Sequence, residues 1–344
     1  MEREMTTEQG ASRDSSGAQA SSVRTDRRSK SGILDKVRNY GSALLLAALI
    51  VVFSVTTSTF MTLDNIQNVL IQQAIAAMMA FAVMFPLILN EFDLSVGNMI
   101  GFLMVLGASL AGSGQGAAVI IPVMVLTGVL VGFINGVLTV KAGISSFIAT
   151  LGVGITMSGL SQGISGGQVL FKDIPTQVTA IGNNYLGPLS IADWIAIVGA
   201  LALFYLLELT PIGRAWYATG GSERVAFLAG LRTKALRIGA FTMAGLFVGI
   251  GSVIALGQSG GANPGYGPDL LLPAYAAAFL GVTTFRPGRY NVIGTVVGLL
   301  LLAVGFNGLS LLGVPFWMQP IYNGGVLLLA VAIARSEARK VRVG

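Results

Sequence analysis

Apolar runs of membrane-crossing length alternate with short polar breaks along most of the chain. The pattern predicts ten helices, near 41–60, 65–88, 95–113, 117–139, 145–165, 190–208, 238–257, 270–285, 291–311 and 317–334. A helix needs about 20 apolar residues to cross a bilayer. The third and eighth runs are shorter and flanked by Gly or Pro, so they are open to being broken or re-entrant. The longest polar break after the N-terminal region runs from Leu209 to Gly239. Its centre reads as one short amphipathic helix. Ser222 supplies a capping hydroxyl, Val225, Ala226, Leu228 and Ala229 form an apolar face, and Gly230 ends it. The chain is thus expected to leave the membrane, lay down a small helix and return. Residues 1–31 read as a disordered tail and 32–344 as the membrane domain.

Composition narrows this to a polytopic membrane protein. Of 344 residues, 53% are hydrophobic and only 10% charged, against about 25% charged in a soluble domain. The 46 glycines suit close helix approach. With no Cys and no His, disulfides, thiolate metal sites and a His-based triad are excluded. The net charge of +6 sits in the breaks between apolar runs, which is the positive-inside pattern and gives no reason to invoke nucleic acid. Arg24, Arg27, Arg28, Lys30, Lys36 and Arg38 precede the first run. Starting inside and alternating through ten spans puts Lys141, the Arg214–Arg237 break, Arg286, Arg289, Arg335, Arg339, Lys340 and Arg342 inside, and only Lys172 outside. Both termini are therefore expected in the cytoplasm.

Candidate chemistry is sparse. In NEFDLSVG at 90–97, Glu91 and Asp93 stand between two apolar runs. Asp93 reads either as a cap for the third span or as part of a pathway or gate. At 135–152, Ser145 and Ser146 are placed to cap the fifth helix, and Asn135 and Thr150 are placed for helix–helix hydrogen bonds or a polar path. Pro287 and Gly288 make a bend anchored by Arg286 and Arg289, and Trp317 and Tyr322 suit an interfacial belt. Glu208 reads as interfacial. No G-x-x-x-x-G-K-[ST] loop occurs, so the chain has no phosphate cradle of its own. No metal-ligand cluster or nucleophile–base set is visible, so the chain is not read as an enzyme and no catalytic or metal residue is assigned.

Several stretches together resemble the permease subunit of ribose/xylose/arabinose-type ABC sugar importers. They are TLDNIQNVLIQQ at 62–73, FDLSVG at 92–97, FIATLG at 147–152 with SGGQ at 165–168, GRAWYATGGSERVAFLAGL at 213–231, and GTVVGLLLLAVGFNGLSLLGV at 294–314. The chain departs from the family at Ser222 and Val225, in GVTTFRPGRYN at 281–291, and in the EF before Asp93.

The resemblance implies an all-α, type II-like importer permease of about ten transmembrane helices in the inner membrane. Its expected partners are two ATP-binding subunits, a second permease copy or paralogue, an extracytoplasmic sugar-binding protein docking near 166–189 and 258–269, a monosaccharide substrate and membrane lipid. ATP and magnesium would belong to the partner, so no cofactor is expected here. Gly220, Gly221, Ser222, Glu223, Ala226 and Gly230, within 213–236, resemble the coupling helix that enters a groove of the ATPase. ATP binding would draw two such helices together and switch the pore. Asp93, Ser95, Asn135, Phe147, Thr150, Asn307 and Gln319 are the candidates for the sugar path, with packing the plainer role for each. The competing readings are an ion- or proton-coupled secondary carrier for a small polar solute, and a scaffold subunit with no path.

Overall fold

The computed structural model describes residues 40–286 and 288–343, with side chains as far as 332. The expected tail at 1–31, the bend at Pro287 and the side chains of Arg335, Arg339, Lys340 and Arg342 lie outside the described residues. The protein is an all-α, multi-pass membrane protein. Its principal helices are α1 (Tyr40–Thr56), α2 (Leu63–Ile88), α3 (Ser95–Gly112), α4 (Ala117–Val140), α5 (Ser146–Ser165), α6 (Thr176–Asn183) and α7 (Ile191–Phe204). After α7 come a π-turn over Tyr205–Leu209, α8 (Pro211–Gly221), α9 (Glu223–Leu228), α10 (Thr233–Ser259), α11 (Pro268–Val282), α12 (Val292–Leu311) and α13 (Met318–Val343).

Each of the ten predicted apolar segments coincides with one helix. Seven of these are long and apolar enough to cross a membrane, while α1, α11 and the apolar part of α13 are shorter. The third and eighth segments are uninterrupted helices, α3 and α11. Two features depart from the sequence reading. The Leu209–Gly239 break holds two helices in place of one, because Thr210 caps a turn that Pro211 opens and Ser222 then breaks into extended backbone before capping α9. The 166–189 break holds α6 and a hairpin pairing Tyr185 with Ser190, where the sequence suggested only a loop.

Helix α2 is the core element, with nearly every residue from Ala74 to Ile88 buried. A helix apolar all round is one surrounded by others. The most extensive helix pair is α4 with α10. Its contact face is written in glycine at every fourth position. A Cβ at Gly128 would sit 2.6 Å from the Gly245 carbonyl oxygen, and one at Gly132 would sit 2.3 Å from that of Phe241. Only hydrogen side chains allow the two backbones this close.

Side-chain contacts define two ends of the bundle. Lys141, Arg214, Arg224, Arg232, Lys234, Arg237, Arg286 and Arg289 lie at one, the basic end. Lys172 is the one described cation at the other, where Leu170 bridges Ala262 and Asn65 pairs with Asn307.

Candidate functional site

At the basic end, residues 89–94 join α2 to α3 without helix. Asn90 holds the left-handed region at φ 59°, which Asn tolerates better than most residues. Of the residues that follow, Phe92 is exposed, Glu91 and Leu94 are partly buried and Asp93 is fully buried, and backbone without helix there needs other partners. Side chains from two other helices supply them. Phe92 N–H donates to Ser146 Oγ (3.2 Å) and Leu94 N–H to Thr150 Oγ1 (2.9 Å), both on α5. The Tyr275 hydroxyl on α11 accepts from Asp93 N–H and donates to Asp93 C=O, each at 3.0 Å. Ser146 is thus spent on the 89–94 segment and makes no cap for α5, whose N-cap Ser145 also makes no side-chain cap bond.

Asp93 is fully buried. Its Oδ1 accepts from Ser95 N–H (3.0 Å), from Ser95 Oγ (2.6 Å) and weakly from Asn135 Nδ2 on α4 (3.4 Å). Asn135 Nδ2 also donates to Ser95 Oγ at 2.8 Å. The bond to Ser95 N–H is an Asx-type turn that starts α3 although Leu94 occupies the cap position. Asp93 Oδ2, Asn135 Oδ1 and Thr139 Oγ1 are buried without a partner among the described residues. The four sequence candidates Asp93, Ser95, Asn135 and Thr150 therefore meet in one knot joining α3, α4, α5 and α11.

The preceding residues, 88–91, are held by the two short helices. Gly220 packs on the α2 terminus so closely that a Cβ there would lie 1.8 Å from the Ile88 carbonyl oxygen. Asn90 Nδ2 donates to Gly220 C=O at 2.7 Å. Arg237, in the first turns of α10, forks between two carboxylates. Its Nε and Nη2 donate to Glu91 Oε1, the former at 2.9 Å, and its Nη1 donates to Glu223 Oε1 of α9 at 3.2 Å. One guanidinium thus ties α9 to the 89–94 segment. Elsewhere at this end Glu208 is paired with both Arg286 and Arg289, the latter at 3.4 Å. Arg289 lies over the Tyr217 ring of α8, 3.5 Å from its centre. The Tyr217 hydroxyl donates to Tyr290 C=O at 2.8 Å, and burial raises this phenol above its ordinary value. Helix α8 is thereby bound to the 283–291 turn.

Helix α9 is anchored and yet largely uncovered. Ser222 Oγ accepts from Val225 N–H, and Gly230 takes φ 86° just past the helix. Ala226 is buried, but Val225, Phe227 and Leu228 are 64%, 66% and 76% exposed. Gly221 has open space around it, unlike Gly220.

The other path candidates lie elsewhere. Phe147 is exposed on α5, near the Asp93 knot in sequence but turned outward. Asn307 and Gln319 line an open cleft of about 790 Å³ at the opposite end, between α2, α11, α12 and α13. Sequence reasoning missed Glu91 and Arg237 as partners, and Tyr275 altogether. Among the described residues no group of three or more His, Cys, Asp or Glu is placed to hold a metal.

Comparison with known proteins adds the following. A family described as the branched-chain amino acid transport system / permease component matches residues 65–331. The chain is 30% identical over 293 residues to the ribose import permease protein RbsC of Haemophilus influenzae, covering 84% of this chain and 91% of that protein. It is 31% identical over 317 residues to RbsC of Bacillus subtilis, with 89% and 95% covered. It is 30% identical over 319 residues to the L-arabinose ABC transporter permease protein AraH of Azospirillum brasilense, with 92% and 94% covered. No solved structure matches the chain.

Proposed function

This chain belongs to the branched-chain amino acid transport system / permease component family, and on that premise we propose that it is the membrane-spanning subunit of an ATP-driven monosaccharide importer. Ribose and arabinose relatives along almost the full length support the substrate class. The single observation that carries the mechanism is α9. It presents Val225, Phe227 and Leu228 to the outside of the fold while its Glu223 is tied through Arg237 to the segment that starts α3. An exposed apolar helix of this kind fits a groove on another protein. The chain has no phosphate-cradling loop, so that protein would be the motor.

On this reading the basic end faces the cytoplasm, in keeping with its cations. Two ATP-binding subunits would grip α9 in each of two permease copies. ATP and magnesium stay with those subunits. Gly220, Gly221, Ser222, Glu223, Ala226 and Gly230 form the coupling block, and its movement reaches α3, α4, α5 and α11 through 88–95. An extracytoplasmic binding protein delivers the sugar at the opposite end, where α6, the hairpin and residues 260–267 form the rim. The membrane is the inner membrane.

The test is uptake of labelled D-ribose, L-arabinose and D-allose by cells producing the chain with and without its ATPase and binding-protein partners. Uptake of at least one sugar is expected only with all components, and it should survive collapse of the proton gradient while ATP is maintained. Uptake by the chain alone, driven by an ion gradient, would instead establish a secondary carrier.

A further inference from the structure

We propose that the cleft between α2, α11, α12 and α13 is a binding site for one uncharged polyol of monosaccharide size, built within a single copy of the chain. The inference rests on the transport reading above and adds the site and its selectivity. The cleft opens at the end opposite α9, and its volume of about 790 Å³ lies within the span of small-molecule sites, roughly 300–1,000 Å³.

Its lining is unusual for a membrane-embedded surface. Three helices each bring a pair of uncharged polar side chains spaced to share one face. These are Asn68 and Gln72 on α2, Asn307 and Ser310 on α12, and Gln319 and Asn323 on α13. Gln73 joins them. Asn307 exchanges amide hydrogen bonds with Asn65, Nδ2 to Oδ1 in both directions at 3.0 and 2.9 Å. By contrast, the side chains of Asn68, Gln72, Gln73, Gln319 and Asn323 make no hydrogen bond to the protein among the described residues. Asn68, Gln72 and Gln319 are exposed and Gln73 and Asn323 partly so, which leaves their amides open to a ligand's hydroxyls.

The chemistry of that lining selects a ligand class. A carboxamide offers both a donor and an acceptor, as does a sugar hydroxyl, so several amides around one volume match a ring of hydroxyls. Phe306 and Trp317 add aromatic surface, which suits the apolar face of a sugar ring. Among the described residues Asp269 is the only charged one in the lining, and none of them there is a cation. An amino acid could set its ammonium against Asp269, but its carboxylate would find no Lys or Arg in the lining to pair with. The cleft therefore favours a neutral polyol over the amino acids that the family's description names.

The chain contains no Cys, so a single introduced thiol is a clean reporter. Gln73→Cys and Gln319→Cys replace side chains that hold nothing in the fold. Each full-length variant, in lipid nanodiscs, is treated with a charged methanethiosulfonate reagent, alone and with D-ribose, L-arabinose, D-allose or L-leucine. Thr179→Cys on α6 serves as control. At least one sugar is expected to slow labelling of both cleft thiols at least threefold, with no effect on the control, and L-leucine should slow neither. Protection by L-leucine, or by none of the four, overturns the proposal. The transport reading is judged separately, by sugar uptake in cells carrying the wild-type chain. Uptake without cleft protection removes the site and leaves the importer. Gln73→Leu with Gln319→Leu should also lower the maximal uptake rate about tenfold with KM unchanged, because the binding protein sets apparent affinity. Unaltered maximal rate in a normally expressed double variant counts against the site.

Discussion

Arg237→Met lowers sugar uptake at least tenfold while ATP hydrolysis by the assembled transporter continues. The reason lies in what the fork joins. Arg237 and Glu91 are 22% and 12% exposed, so this limb is largely desolvated. Removing one partner of such a pair costs about 3 kcal/mol, since the other charge is left without compensation. The second limb differs. Glu223 is 48% exposed, and a pair that wet contributes roughly 0–1 kcal/mol to stability. Its place is mechanical: it is the charged link from α9 to the residue before the buried Asp93 segment. Glu223→Gln is therefore expected to leave thermal stability within about 1 kcal/mol of wild type and still cut uptake several-fold. A purely structural role for the fork predicts the reverse order, with Glu223→Gln silent in both assays. Parallel measurement of uptake, ATPase rate and thermal melting separates the two.

A second large effect is expected from one methyl group. Gly220→Ala places a Cβ 1.8 Å from the Ile88 carbonyl oxygen, and the obstacle is backbone that cannot rotate away. The α8 terminus must lift from α2, breaking the Asn90 bond to Gly220 C=O as it does so. Overpacking of this kind costs about 3 kcal/mol, and uptake should fall below a tenth of wild type. The neighbouring Gly221→Ala meets nothing within 4 Å and removes a poor helix former, so it should be neutral or stabilising by up to about 1 kcal/mol. Equal behaviour of the two alanine variants, read by melting temperature and uptake, would mean that α8 does not bear on the α2 terminus.

The spans were legible because long apolar runs report themselves locally, and each run at 41–334 recovers a helix. The cap at Ser222 and the stop at Gly230 were legible for the same reason, since capping is chemistry over three or four residues. Helix α8 is amphipathic but was hidden because it is short and carries Pro211, Gly213, Gly220 and Gly221, and because its anchors, Trp216 and Tyr217, find their partners Leu236 and Tyr290 only in the fold. Glu91 and Asp93 stood out as carboxylates between apolar runs. Their partners did not, because Arg237 is 146 residues from Glu91 and Tyr275 is 182 from Asp93. The cleft was hidden for the same reason. An amide pair on one helix reads as a wet face, and only the packing of α2, α12 and α13 turns three such pairs toward one volume.

The physical core of the account is that α9 hands movement from a cytoplasmic motor to the membrane helices. Cysteine accessibility at Phe227→Cys, in a chain with no other thiol, tests it directly. A membrane-impermeant maleimide should label this position in inside-out vesicles, bound ATPase subunits should block the labelling, and intact cells should show none. Labelling of Phe227→Cys from outside intact cells would contradict the account.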